Sequence, residues 1–172
     1  MALNLSARNL VDDRCVQEIE RLIGEHGLAY EDIELEITET AIMHDPTQAA
    51  RLLDRLDRRG VGLAIDDFGT GYSSLAHLKR LPLDSLKVDR TFVRDMTSDE
   101  QDAAIVRSTI ALAHSLGMRV IAEGVEDERT LQALRTMGCD MAQGYFIGKP
   151  MPLAELFDWL AARATAAAVE RG

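Results

Sequence analysis

Polar side chains able to do chemistry recur at the ends of short apolar runs: Asn4, Glu36, the pair Asp66 and Asp67, Lys87 with Asp89, Glu123 and Gln143. Asn4, Glu36 and Asp66 offer neutral and anionic oxygens without clustered Cys or His. That donor set suits Mg²⁺, Mn²⁺ or Ca²⁺ rather than a structural zinc. Asp67 follows directly and is placed to face a second metal or an attacking water. Lys87 and Asp89 stand two apart, so on a strand both point to one face. A lysine turned into an interior must meet an anion or a carboxylate there. The blander reading of any one of these residues is a strand-end group capping a helix. For Lys87 it is a structural ion pair with Asp66, Asp67 or Glu123, which a catalytic role would not exclude. Repetition of the pattern at strand after strand favours the chemical reading.

The most informative stretch is Asp66-Asp67-Phe68-Gly69-Thr70-Gly71-Tyr72-Ser73-Ser74-Leu75. Its glycines permit tight backbone turns, and exposed amides at a helix start can receive phosphate oxygens. A Gly-x-Gly loop alone is more often a simple turn; here it follows a paired acid. Glu123-Gly124-Val125-Glu126 repeats the theme, although Glu126 also suits the dipole of a helix opening at Asp127. His26, His44, His77 and His114 are scattered over helical and loop positions and read as surface or packing residues.

Strands are expected at Ala2–Leu5, Ile33–Ile37, Val61–Ile65, Ser85–Val88, Arg119–Ala122 and Met141–Ile147, each a short apolar run flanked by Gly, Asp or Ser. Helices are expected between them. One covers Asp13–His26; one opens at Asp45 with Pro46 in its first turn and stops at Gly60. Another runs from Ser98 or Asp99 to Gly117, another from Asp127 to Gly138, and a last one from about Pro152 into an alanine-rich, frayed tail over 161–172. Repeated strand–helix units with short connections imply a parallel sheet. Six polar strand ends in succession describe a ring around one mouth, the arrangement of a (β/α) barrel. A doubly wound sheet would concentrate its site at one switch point. A closed barrel of this class needs eight strands, so two units missing from the amino end are expected in preference to an open or partner-completed sheet.

The whole chain, 172 residues with 47% hydrophobic and 28% charged residues, has the composition of one ordinary globular domain and not of a disordered segment. Its 29 acidic against 19 basic residues argue against a nucleic-acid polymer as partner. A divalent cation could still reverse the local sign for a small anionic ligand. Cys15 and Cys139 form no metal-type or redox-type pair and read as reduced thiols of a cytoplasmic protein. No run approaches the roughly 18 apolar residues of a membrane span, and the amino end lacks signal-peptide character.

The segments Asn-Leu-Ser at 4–6, Leu-Glu-Ile-Thr-Glu at 35–39, Asp-Asp-Phe-Gly-Thr-Gly-Tyr-Ser-Ser-Leu at 66–75, Lys-Val-Asp at 87–89, Ala-Glu-Gly-Val-Glu at 122–126 and Gln-Gly-Tyr at 143–145 resemble the EAL domain, a family of bacterial cyclic-di-GMP phosphodiesterases. The resemblance spans Asn4 to about Trp159. It implies a modified TIM-like barrel that binds Mg²⁺ or Mn²⁺ and opens cyclic-di-GMP to linear pGpG. By matched motif, Asn4, Glu36 and Asp66 would be metal ligands and Asp67 would serve a second metal. Lys87 would hold water or phosphate, Glu123 would ligate or orient, and Asp89, Gln143 and Glu126 would support the site. Glu39 would anchor the loop Phe68–Ser74, a segment that also takes part in dimer contacts. The departure is at the amino end: the family's first two strands, with the Glu-Ala-Leu ligand and a phosphate-binding arginine, are not matched. Ala154-Glu155-Leu156 lies in the last helix and is unrelated.

The resemblance thus implies a single EAL-like domain over 1–172, with about six of eight units, from a longer protein carrying a sensory or GGDEF-type domain upstream. A catalytically impaired module that binds cyclic-di-GMP or a partner chain without turnover is the alternative. Without the resemblance, a barrel metalloenzyme performing proton abstraction beside a carboxylate also fits, though the Gly-Thr-Gly-Tyr-Ser-Ser loop suits it poorly. An open barrel exposes two strand edges, Ala2–Ser6 and Met141–Ile147, through which self-association is expected.

Overall fold

The computed structural model describes residues 1–10, 12–69 and 75–169. Strands β1 (Ala2–Leu5), β2 (Glu34–Thr38), β3 (Gly62–Phe68), β4 (Ser85–Val88), β5 (Arg119–Ala122) and β6 (Met141–Ala142) form one sheet in chain order. Every neighbouring pair is parallel. No reversal of strand order occurs, which excludes a doubly wound sheet and leaves a (β/α) barrel wall. β1 and β6 do not pair with each other, so the sheet is open and the barrel incomplete.

Among the described residues the helices are α1 (Ala7–Leu10), α2 (Asp13–His26), α3 (Glu39–His44), α4 (Pro46–Asp57), α5 (Leu75–Leu78), α6 (Arg90–Asp95), α7 (Glu100–Ser115), α8 (Glu128–Thr136) and α9 (Leu153–Val169), with a 3₁₀ turn at Tyr30–Asp32. Side-chain caps start the longer ones. Asp12 accepts from the Arg14 N–H at 2.9 Å, Asp45 from Gln48 at 3.0 Å, Asp99 from Gln101 at 2.7 Å and Asp127 from Thr130 at 2.7 Å. Each satisfies an amide that the helix leaves without a partner. The helical reading of Leu75–Leu78 holds as α5, whereas the short helices α1, α3 and α6 go beyond the expected elements, because four to six residues hold too little of a 3.6-residue period to read.

One face of the sheet is apolar. Leu35, Ile37, Leu63, Ile65, Leu86, Val88 and Val120 are buried against Leu53 and Leu56 of α4, Val106 and Ile110 of α7 and Leu134 of α8. Each such side chain contributes about 1.5–3 kcal/mol on burial. Strand alternation sends Glu34, Glu36, Lys87 and their neighbours to the opposite face, where the site forms.

One expected strand is corrected. Met141–Ile147 pairs only over Met141–Ala142. Beyond Gln143 the chain turns: the amides of Ile147 and Gly148 both donate to the Gly144 carbonyl at 3.0 Å, and Phe146 donates to Val125. A strand needs a ladder partner, and past Gln143 the amides are satisfied by the turn and by the Val125 carbonyl instead. Helix α9 continues through the alanine-rich segment to Val169, and no helix among the described residues is long and apolar enough to cross a membrane.

Candidate functional site

Lys87 of β4 is the organising residue. Its side chain is 4% exposed, and its Nζ lies 2.7 Å from Glu123 Oε1, 2.8 Å from Glu36 Oε1 and 3.1 Å from Asp66 Oδ1. Three strands converge on one ammonium, Glu36 reaching across β3 to do so. Burial works against the lysine's charge, but the bonds to Glu123 and Glu36 and the fields of Glu123 and Asp66 outweigh it and push its pKa up. Lys87 is therefore cationic. Burial pushes the Glu123 carboxyl up, Lys87 opposes that, and Asp66 and Glu36 add to the rise. The expected ion pairs of Lys87 with Asp66 and Glu123 are present; Glu36 is a third partner.

On β3 the register shifts between Ile65, opposite Leu86, and Phe68, opposite Val88, so Asp66 and Asp67 together oppose Lys87 alone. This is a β-bulge. Asp67 takes a left-handed backbone, φ 54°, the only such non-glycine among the described residues, and its N–H donates to Asp66 Oδ1 at 3.0 Å. In a regular strand successive side chains face opposite ways. The bulge instead brings oxygens of Asp66, Asp67 and Glu123 within 4.8 Å of one another. Hard carboxylate oxygens at that spacing, beside a lysine that offsets part of their charge, fit a divalent cation such as Mg²⁺, Mn²⁺ or Ca²⁺.

Asp67 and Asp89 share a hydrogen bond. Burial, then the charge of Asp66 and the bond to Asp89, raise the Asp67 carboxyl. Asp89 is also opposed by burial, but the Thr91 hydroxyl and amide bond to it and hold it low. Of the two, Asp67 takes up a proton first. Asp89 is at the same time the N-cap of α6, accepting from the Thr91 N–H at 2.8 Å, so the capping reading is realised at this position.

Around this centre, Glu39 is 3% exposed, and its Oε2 accepts from the Gly69 N–H at 3.4 Å. Phe68 is buried; Thr70, Gly71, Tyr72, Ser73 and Ser74 of the expected loop lie outside the described residues. Glu123, Glu126 and Gln143 line a cleft of about 230 Å³ together with Arg90, Gly144 and Tyr145. Arg90 and Tyr145 were not singled out from the sequence, although one follows Asp89 directly and the other closes the Gln-Gly-Tyr segment. Asn4 stands opposite Glu36 in the β1–β2 register and is exposed on the edge strand. Of the histidines, His114 pairs with Asp140 at 2.9 Å, away from the mouth.

The family model of the EAL domain matches residues 1–150. The chain belongs to the EAL domain family. The EAL chain is 47% identical, over 94% of its length, to the Cyclic di-GMP phosphodiesterase NbdA of Pseudomonas aeruginosa, of which it covers 21%. It is 42% identical over 91% of its length to the Bifunctional diguanylate cyclase/cyclic di-GMP phosphodiesterase MucR of the same organism, covering 23%. It thus spans about a fifth of these relatives. Among solved structures, the PaMucR phosphodiesterase in a c-di-GMP complex matches with a TM-score of 0.87 at 42% identity, over 90% of this EAL chain and 63% of that one. The manganese/cy-diGMP complex of Klebsiella pneumoniae BlrP1 matches with a TM-score of 0.77 at 35% identity, over 84% and 37%.

Proposed function

We propose that this chain carries the catalytic face of a phosphodiesterase that hydrolyses cyclic-di-GMP to linear pGpG with Mg²⁺ or Mn²⁺. The carrying observation is the convergence of Asp66, Asp67 and Glu123 within 4.8 Å, around a buried lysine that already holds Glu36. The names of the relatives and the ligands of the matching complexes support the substrate.

In this reading Asp66, Asp67 and Glu123, with Glu36 and Asn4 from the adjoining strands, hold the cations. When bound, these supply Lewis acidity and make water nucleophilic at neutral pH. Lys87 places a fixed positive charge where the phosphodiester gains negative charge in the transition state. Asp89 orients Asp67. Glu126 and Gln143 shape the cleft that receives the rest of the dinucleotide, and Glu39 anchors the loop that begins at Phe68. The protein acts in the cytoplasm, with further domains of the same polypeptide controlling it, and it pairs as a homodimer through the Phe68–Ser74 region or the strand edges.

The test is turnover of cyclic-di-GMP with Mn²⁺ by the full polypeptide that contains this chain. Appearance of pGpG, abolished by chelation, is expected. Binding of the dinucleotide by calorimetry with no pGpG would replace the enzyme by a non-hydrolysing receptor.

A further inference from the structure

The first turn of α6 grips the bulged end of β3 at successive points. Asp89, its N-cap, shares a hydrogen bond with Asp67. Val88 pairs in register with Phe68. Phe92 covers Gly69: a Cβ built there would lie 3.1 Å from Phe92 Cε2, 3.7 Å from Cζ and 3.9 Å from Cδ2, so one edge of the ring rests on the glycine. Gly69 has φ 98°, a backbone that L side chains rarely adopt, and its N–H is turned toward Glu39. The turn itself is firmly seated. Phe92 N–H donates to the Asp89 carbonyl at 3.2 Å, and the next residue, Val93, is fully buried in the core.

We infer that Phe92 is a positioning residue for the metal centre, its ring pressing on Gly69 so that Asp67 keeps the left-handed conformation that sets it beside Asp66 and Glu123. Glu39 contributes one long hydrogen bond of 3.4 Å from the other side, so it does not hold the segment alone. The ring supplies the steric stop. This inference deepens the proposed function, since what is positioned is a carboxylate assigned to the cation.

Two readouts on the 172-residue chain test it: Mn²⁺ affinity by calorimetry, and hydrogen exchange of the Gly69 amide. Phe92→Ala is expected to weaken Mn²⁺ binding about 10- to 100-fold, the usual effect of removing a group that orients a ligand. It is also expected to speed exchange at Gly69 about tenfold or more while Leu86 and Val88 in β4 stay protected. Phe92→Tyr, which keeps the ring, restores both. If Phe92→Ala does not fold, Phe92→Leu keeps apolar bulk without the flat ring and is read in the same two ways. Unchanged Gly69 exchange, or Mn²⁺ affinity equal to that of the parent, overturns the inference. Should the parent chain itself bind no Mn²⁺, exchange at Gly69 alone decides whether Phe92 positions this segment, and turnover by the full polypeptide still decides the proposed function.

Discussion

Lys87→Met keeps most of the lysine's volume and removes its charge, leaving Glu36, Asp66 and Glu123 facing one another in a site where the lysine side chain was 4% exposed. Breaking one side of a buried ion pair costs about 3–5 kcal/mol. The midpoint in urea should fall accordingly in chelated buffer and recover in part with Mn²⁺, which restores positive charge among the carboxylates. Under the proposed function, turnover by the full polypeptide should not recover, remaining about 10²- to 10³-fold down, because the charge assigned to the transition state is then absent. Equal recovery of stability and turnover would make Lys87 a purely structural residue. Asp67 shows why such a site is hard to read one residue at a time. Its type is visible, but its direction depends on a bulge that a sequence of alternating faces does not announce.

At the level of elements, two joints carry predictions. Gly144 lies against the loop after β5: a Cβ there would collide with the backbone carbonyl oxygen and nitrogen of Val125. The obstacle is backbone and leaves no cheap escape, so Gly144→Ala should destabilise by about 1–3 kcal/mol or shift the turn that carries Gln143. Urea denaturation measures the first outcome. The second joint is Asp140, which accepts from the Val120 N–H at 2.8 Å and from His114 Nε2 at 2.9 Å, tying the approach to β6 onto β5 and α7. The His114 bond, opposed by partial burial and reinforced by the Val120 amide, holds the Asp140 carboxyl below its ordinary value of 3.8. A depressed carboxylate stabilises the fold above that ordinary value and loses its contribution as pH falls below it. Melting temperatures between pH 5 and pH 3 should therefore drop more steeply for the parent than for Asp140→Ala. Parallel curves would remove Asp140 from the acid limb.

The whole molecule is an open parallel sheet with two unpaired edges, β1 and β6. Next to β6 lies a groove of about 600 Å³ lined by Ile147, Pro150, Met151, Leu156 and Trp159, and Tyr145, Leu153 and Phe157 nearby are more than 60% exposed. Unpaired strand edges beside apolar surface favour association. The 172-residue chain is expected to sediment as dimers or larger species whose size grows with concentration. A monodisperse monomer with one sharp thermal transition would contradict this.

Much of this architecture was legible in the residues themselves. Asp45, Asp99 and Asp127 announce helix starts because a short acceptor side chain satisfies amides within its own turn. Short apolar runs announce strands because alternation and burial act over five or six residues. The donors Asn4, Glu36, Asp66, Lys87 and Glu123 stand at strand ends for the same local reason. Only the tertiary structure decided which of them meet. Asp67 joined Asp66 through a register shift against β4, Glu36 reached Lys87 across an intervening strand, and Asn4 stayed exposed at an edge. The last strand stopped at Ala142 because a turn at Gly144 captured its backbone groups. Helix caps and strand alternation are written within a few residues of chain. Convergence depends on sheet register and on contacts between segments far apart in sequence, and folding alone brings those segments together.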